Sequence, residues 1–81
     1  MAKLIPNYAL AQTIGSSVAF EAATVDDLIQ QGIRRFGEPF RAAMKSAAII
    51  VNGRSVNLLQ GGRTPLGPDD TVWLVLPSGG G

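Results

Sequence analysis

Residues 24–37 read TVDDLIQQGIRRFG, and this stretch predicts the main helix of the chain. Its hydrophobic side chains recur at positions 25, 28, 29, 33 and 36, the spacing of one face of an α-helix. Thr24 can act as N-cap, Asp27 can reach back toward it, and acidic residues in the first turn suit the helix dipole. Gly32 lowers the helix propensity by about 1 kcal/mol, which close packing would justify. Gly37 predicts the C-terminal end of this helix, where glycine is common.

Short runs with strand character lie on both sides of this helix. Lys3–Ile5 and Ser17–Glu21 come before it, and the second run alternates, with Val18 and Phe20 on one face. Three more predicted strands come after it, and these are Ala47–Val51, Arg54–Leu58 and Thr71–Leu76. Asn52-Gly53 separates the first two of them, and this dipeptide predicts a type I′ hairpin turn because both of its residues need a positive φ.

The remaining segments are predicted as connections or short helices. Asn7–Ser16 is predicted as a long connection, with a helical turn at Ala9–Ala11 left open. Pro39–Lys45 is compatible with a second short helix that has a proline near its start. Gln60–Arg63 is predicted as a turn, and Thr64–Asp70 as an irregular link that holds one buried leucine.

The order of elements favours one α+β architecture. One main helix in a mostly β chain must cover one face of a sheet. The first and last strands are the natural central pair and would run parallel, with the helix as crossover. We therefore predict a β-grasp fold, a mixed sheet of four to five strands with the main helix on one face. Residues 1–76 would form this domain, and residues 77–81 a flexible glycine tail.

Composition excludes several classes of function. The chain has 81 residues, a net charge of +1, no cysteine and no histidine. It therefore lacks the usual nucleophile, general base and metal ligand, and we expect no catalytic residue and no metal. The balanced charge gives no reason to expect binding to nucleic acid or a membrane surface. Without an apolar run of spanning length or a signal peptide, we expect a cytoplasmic protein.

Two short motifs have plain structural explanations. Gly61-Gly62 lacks the preceding strand and the following Lys-Ser/Thr of a phosphate-binding loop. Asp69-Asp70 has no histidine or further acid to complete a metal site, so a turn role is favoured.

The final glycines are the strongest functional signal. Residues 77–81 read PSGGG, and a segment without side chains can enter a channel too narrow for other residues. Five extended residues reach about 16–18 Å. Pro77 fixes φ at the root of the tail, which either lifts the tail off the sheet or ends the strand. Frayed ends of no function are the alternative explanation.

The order of motifs resembles the ubiquitin-like sulfur carriers, which include the small subunit of molybdopterin synthase and the thiamine-pathway sulfur carrier. The resemblance is strongest over residues 49–81: the turn at residues 51–53, LLQGG at residues 58–62, TPL at residues 64–66 and PDDTV at residues 68–72. Ubiquitin is similar at residues 62–64 and 71–76. The N-terminal half matches in layout only, and Pro39–Ser46 is similar to the molybdopterin or cysteine-pathway carriers. Ser78 before three glycines departs from the usual ending.

This resemblance implies a function for the tail. A ubiquitin-activating-like enzyme would adenylate the carboxylate of Gly81 with ATP, and a sulfur donor would convert it to a thiocarboxylate for an acceptor synthase. Gly79 and Gly80 would thread the tail into the partner's site. The chain itself would bind no cofactor, since ATP, zinc and any catalytic cysteine belong to the partner. A ubiquitin-like modifier conjugated through Gly81, and a non-catalytic β-grasp interaction module, are the two alternatives.

The sheet face away from the helix is the predicted docking surface. By alternation Ile50, Trp73 and Val75 point to that side, and an exposed tryptophan is a frequent interface anchor. Arg54 and Arg63 lie at nearby turns and would meet acidic partner residues, although plain solvation also explains them. The alternative is that residues 7–16 or another contact covers Trp73.

Overall fold

The computed structural model describes residues 1–56 and 59–75, which contain one mixed five-stranded sheet. Its strands are β1 (Ala2–Ile5), β2 (Val18–Phe20), β3 (Ala48–Val51), β4 (Arg54–Ser55) and β5 (Thr71–Val75). They lie in the order β2-β1-β5-β3-β4. β1 and β5 form the central parallel pair, and the other neighbours are antiparallel. The predicted β-grasp fold is confirmed.

The main helix, α2 (Val25–Phe36), has the predicted bounds and packs against α3 (Glu38–Ser46). Thr24 Oγ1 accepts a hydrogen bond from the Asp27 N–H at 3.1 Å. Asp27 also reaches back, but its carboxylate accepts from the N–H of Ala23 at 3.1 Å, one residue before the cap. Gly37, with a φ of 78°, ends α2 and precedes α3.

The structure corrects the long connection predicted for residues 7–16, because most of these residues form a helix, α1 (Tyr8–Ile14). Asn7 is its N-cap, and Asn7 Oδ1 accepts from the Leu10 N–H at 2.9 Å. Gly15, with a φ of 104°, ends it. Leu10 is only 4% exposed and belongs to the core. A helix of seven residues has about two turns, too few for a clear periodic pattern.

The strand predicted at Arg54–Leu58 is also corrected, because β4 contains only Arg54–Ser55. The Leu59 N–H donates to the Val56 carbonyl at 3.0 Å, so this carbonyl makes a local hydrogen bond. Leu58 lies outside the described residues. The hairpin turn is as predicted: Asn52 has a φ of 50° and Gly53 of 86°, the two positive values of a type I′ turn.

The core lies between the sheet and the helices. Leu4, Val72 and Val51 share one row across β1, β5 and β3, and all three are buried. Above them Phe20 and Phe40 are almost fully buried, and Phe36 stacks on Phe40 with a ring separation of 6.1 Å. The link before β5 contributes one buried leucine, Leu66, as predicted. A 3₁₀ turn, Gly61–Arg63, packs against α2.

Candidate functional site

The sheet face away from the helices carries a group of apolar residues. Register places Ile5, Trp73 and Ile50 side by side on β1, β5 and β3, and places Ala48 beside Val75. Trp73 is 46% and Val75 44% exposed, Ala48 is exposed, and Ile5 and Ile50 are half-buried. We call these five residues the open face.

The open face lies toward the C-terminal end of β5. Lys3 and Thr71 pair at the opposite end of β1 and β5, so the polar residues of this sheet side are near the start of β5. Val75 is the last residue of β5, and the predicted tail, residues 77–81, begins two positions later in the chain. The apolar residues therefore lie toward the end of β5 that is nearer in sequence to the tail.

The segment between β1 and β2 does not cover Trp73. α1 packs against α3, and Leu10 joins the core on the helix side of the sheet. A tryptophan left about half exposed keeps much of its apolar area in water, which an interface would remove. The sequence prediction that Ile50, Trp73 and Val75 point away from the main helix agrees with the register, while their role in docking stays a prediction.

The two arginines predicted near this surface lie elsewhere. Arg54 is opposite Val51 in register, so it shares the helix side of the sheet, whereas Ser55 pairs with Ile50 on the other side. Arg54 helps line an open cavity of about 460 Å³. Arg63 is in the 3₁₀ turn that packs against α2. The fold therefore brings together Ile50, Trp73 and Val75 but not the arginines.

Sequence reasoning missed Ile5 and Ala48. Alternation along β1 and β3 shows only which residues share a side of their own strand. Their position beside Trp73 and Val75 depends on strand order and register, and the parallel pairing of β1 with β5 was the signal that could have found Ile5.

A polar cluster, the Asn52–Asp70 clamp, joins the β3–β4 turn to the start of β5. Asn52 Nδ2 donates to Asp70 Oδ1 at 2.8 Å, and Asn52 Oδ1 accepts from the Thr71 N–H at 3.0 Å. The Gly67 N–H donates to Asp70 Oδ2 at 2.8 Å. The Gly67 N–H and, second, the Asn52 amide lower the pKa of Asp70 below its usual value, against a slight opposing effect of burial. Asp70 therefore holds a turn.

The described part of the chain contains neither a candidate metal site nor a helix that could span a membrane. No group of three or more His, Cys, Asp or Glu residues there could hold a metal ion. None of the helices there has the length and apolarity to cross a membrane. Gly79, Gly80 and Gly81 lie outside residues 1–56 and 59–75, as does the boundary between residues 76 and 77, so the predictions for the tail remain predictions.

Comparison with known proteins finds a matching family model and solved structures with a similar fold. The model of the ThiS family matches residues 8–81. The small archaeal modifier protein 1 of Methanosarcina acetivorans has a similar structure, with a TM-score of 0.81 and 19% identity, covering 99% of this chain and 95% of that one. No curated protein matches the sequence.

Two further solved structures share the fold. A chain of the BexX/CysO complex of Amycolatopsis orientalis gives a TM-score of 0.83 at 20% identity and covers 100% of both chains. The HVO 2177 protein of Haloferax volcanii gives 0.76 at 23% identity and covers 99% of this chain and 85% of that one.

Proposed function

This chain belongs to the ThiS family, and from that premise we propose that it is a ubiquitin-like sulfur carrier. Its Gly81 carboxylate is adenylated by a ubiquitin-activating-like partner enzyme and converted to a thiocarboxylate. The thiocarboxylate then donates sulfur to a biosynthetic acceptor synthase of the molybdopterin, thiamine or cysteine type.

The open face is the observation that carries this proposal. Trp73 and Val75 are exposed apolar residues on the strand that leads directly into the tail. A partner that binds them also holds the root of the tail. The five tail residues, 77–81, then reach about 16–18 Å toward its active site when extended. Docking and delivery of the carboxylate are therefore coupled by the chain itself.

The chemistry requires activation from outside the chain. A carboxylate is a poor acyl donor, so its oxygen first attacks the α-phosphate of ATP and releases pyrophosphate. A persulfide sulfur then displaces AMP, and a thiol frees that sulfur from its donor to leave the thiocarboxylate. The chain has no cysteine or histidine to catalyse these steps, so ATP, any zinc and the reactive thiols belong to the partner.

Intact mass after incubation with an adenylating enzyme, ATP and a sulfur donor tests the proposal. We expect a gain equal to one oxygen replaced by one sulfur, located on Gly81. An enzyme that activates another carrier but leaves this chain unchanged would overturn the proposal.

Gly80→Leu tests the threading of the tail. A branched side chain in a channel shaped for glycine should abolish the mass gain while leaving the melting temperature unchanged. Gln12→Leu places the same side chain at an exposed position of α1 and is the matched control. Full activity of the Gly80 variant would contradict threading.

A protein modifier is the second candidate, favoured by the fold likeness to the archaeal modifier protein. In that case Gly81 would form isopeptide bonds with lysines of other proteins. Adducts on those proteins, with no thiocarboxylate on the free chain, would favour this role. Deletion of Gly81 without any effect would instead favour a non-catalytic interaction module.

A further inference from the structure

The Asn52-Gly53 turn contains a chemically reactive pair of residues. In an Asn-Gly sequence the glycine backbone nitrogen can attack the side-chain carbonyl carbon of the asparagine, because glycine has no side chain to hinder the approach. A bond then forms between Gly53 N and Asn52 Cγ, and the Cγ–Nδ2 bond breaks and releases ammonia. Water opens the resulting cyclic imide at either carbonyl, which leaves aspartate or isoaspartate at position 52.

The Asn52–Asp70 clamp restrains this reaction, because ring closure requires the Asn52 side chain to turn toward Gly53. Both polar atoms of its amide are instead hydrogen-bonded at the start of β5. Nδ2 donates to Asp70 Oδ1 at 2.8 Å, and Oδ1 accepts from the Thr71 N–H at 3.0 Å. The Asn52 N–H also donates to the Thr71 carbonyl at 3.0 Å, which ties down the backbone of the turn.

The negative charge of Asp70 also slows the reaction. The attacking Gly53 nitrogen must lose its proton, and the nearby Asp70 carboxylate disfavours a second negative charge. Asp70 is itself oriented by the Gly67 N–H at 2.8 Å, so its position does not depend on Asn52 alone.

We propose that Asn52 is a deamidation site that Asp70 keeps unreactive in the folded protein, and that deamidation opens the clamp. The product places a carboxylate where Asn52 Nδ2 donated to Asp70, so a hydrogen bond becomes a contact between like charges. The β3–β4 turn then loses a tie to β5, the strand that carries Trp73.

The first test measures deamidation of the folded chain at fixed pH by peptide mass. Asp70→Ala should speed it by about tenfold, the factor that about 1.4 kcal/mol of restraint represents. Asp69→Ala, a change at the exposed neighbouring acid, should leave it unchanged. The unrestrained rate comes from the wild-type chain in denaturant. A folded wild type that reacts as fast as the denatured chain overturns the proposal, whether or not the Asp70 variant folds.

The second test exchanges the two groups. Asn52→Asp should lower the stability of the domain, and the double variant N52D/D70N should restore most of it. In the double variant the amide at position 70 accepts from the Gly67 N–H and donates to the new carboxylate, so the contact is rebuilt with its roles reversed. An Asn52→Asp protein as stable as wild type, or a double variant with no recovery, would show that the product does not open the clamp.

Discussion

Gly32 shows at the scale of one residue why a glycine can be favourable inside a helix. It lies in α2 beneath the ring of Phe40, and an added Cβ would overlap that ring. Phe40 is fully buried and contacts Phe20 and Phe36, so the ring has little freedom to move. The close packing inferred from the sequence is therefore present, and it joins α2 to α3.

Gly32→Ala should destabilise the domain by about 1–3 kcal/mol, because overpacking outweighs the helix propensity that alanine adds. Chemical denaturation measures this change. Gly67→Ala is the control, since its added Cβ would lie 3.7 Å from Asp70 Oδ2, an ordinary contact. Equal stability of the Gly32 variant and the wild type would contradict the packing.

Asp70 stabilises the folded chain more at neutral pH than at acidic pH. Its pKa is lowered in the folded chain, first by the Gly67 N–H and then by the Asn52 amide. Between the folded and the unfolded pKa of Asp70, the unfolded chain binds more protons than the folded chain. The stabilisation is therefore fully present above the unfolded pKa and is lost as the pH falls through the folded pKa. Asp70→Asn should therefore cost about 1 kcal/mol at neutral pH.

The same cost should shrink once the pH falls below the ordinary aspartate pKa of about 3.9, and it should fade as the wild-type carboxyl becomes protonated at its lowered folded pKa. Urea denaturation of the two proteins at neutral and acidic pH measures it. A difference of the same size at about pH 2 would show that the effect is independent of ionisation.

At the scale of elements, α1 shows how one buried side chain secures a short helix. Seven residues are too few for a stable isolated helix, so the cap at Asn7 and the burial of Leu10 must hold it. Its packing against α3 also keeps it on the helix side of the sheet and leaves Trp73 uncovered.

Leu10→Ala should destabilise the domain by about 2–4 kcal/mol, because it removes a core side chain and leaves a cavity. Tyr8→Ala changes a residue of the same helix that is 81% exposed, and should alter stability by about 0.5 kcal/mol or less. Thermal unfolding compares the two variants. Similar melting temperatures would mean that Leu10 does not anchor α1.

At the scale of the whole molecule, the helices cover one side of the sheet and the other side presents the open face. We expect this division to separate the residues that stabilise the fold from the residues that dock a partner. Core residues such as Leu4 and Val72 lie on the covered side, and Trp73, the residue after Val72, lies on the opposite side of β5.

Trp73→Ala should weaken binding to the adenylating enzyme by about tenfold or more, as expected for a buried aromatic anchor at an interface. Its melting temperature should change little, because the side chain is 46% exposed in the free chain. Titration calorimetry and thermal unfolding measure the two effects. Tyr8→Ala, at an exposed aromatic residue on α1, should bind normally. A large loss of stability in the Trp73 variant would make it a core residue.

The amino-acid sequence by itself determined the features that depend on neighbours along the chain. The period of apolar residues and the cap at Thr24 define α2, and Asn52-Gly53 defines the type I′ turn, because each depends on local backbone geometry. Alternation along β5 is equally local, so the side of the sheet that Trp73 occupies followed from sequence alone. Element order then limited the fold to one arrangement.

Tertiary structure alone decided which strands and side chains meet. Ile5 and Ala48 join the open face, and Arg54 leaves it, because of pairings between strands distant in sequence. The Asn52–Asp70 hydrogen bond likewise spans 18 positions, and local patterns carry no record of such a contact. The short α1 exists because the core receives Leu10, an interaction that only the assembled sheet and helices supply.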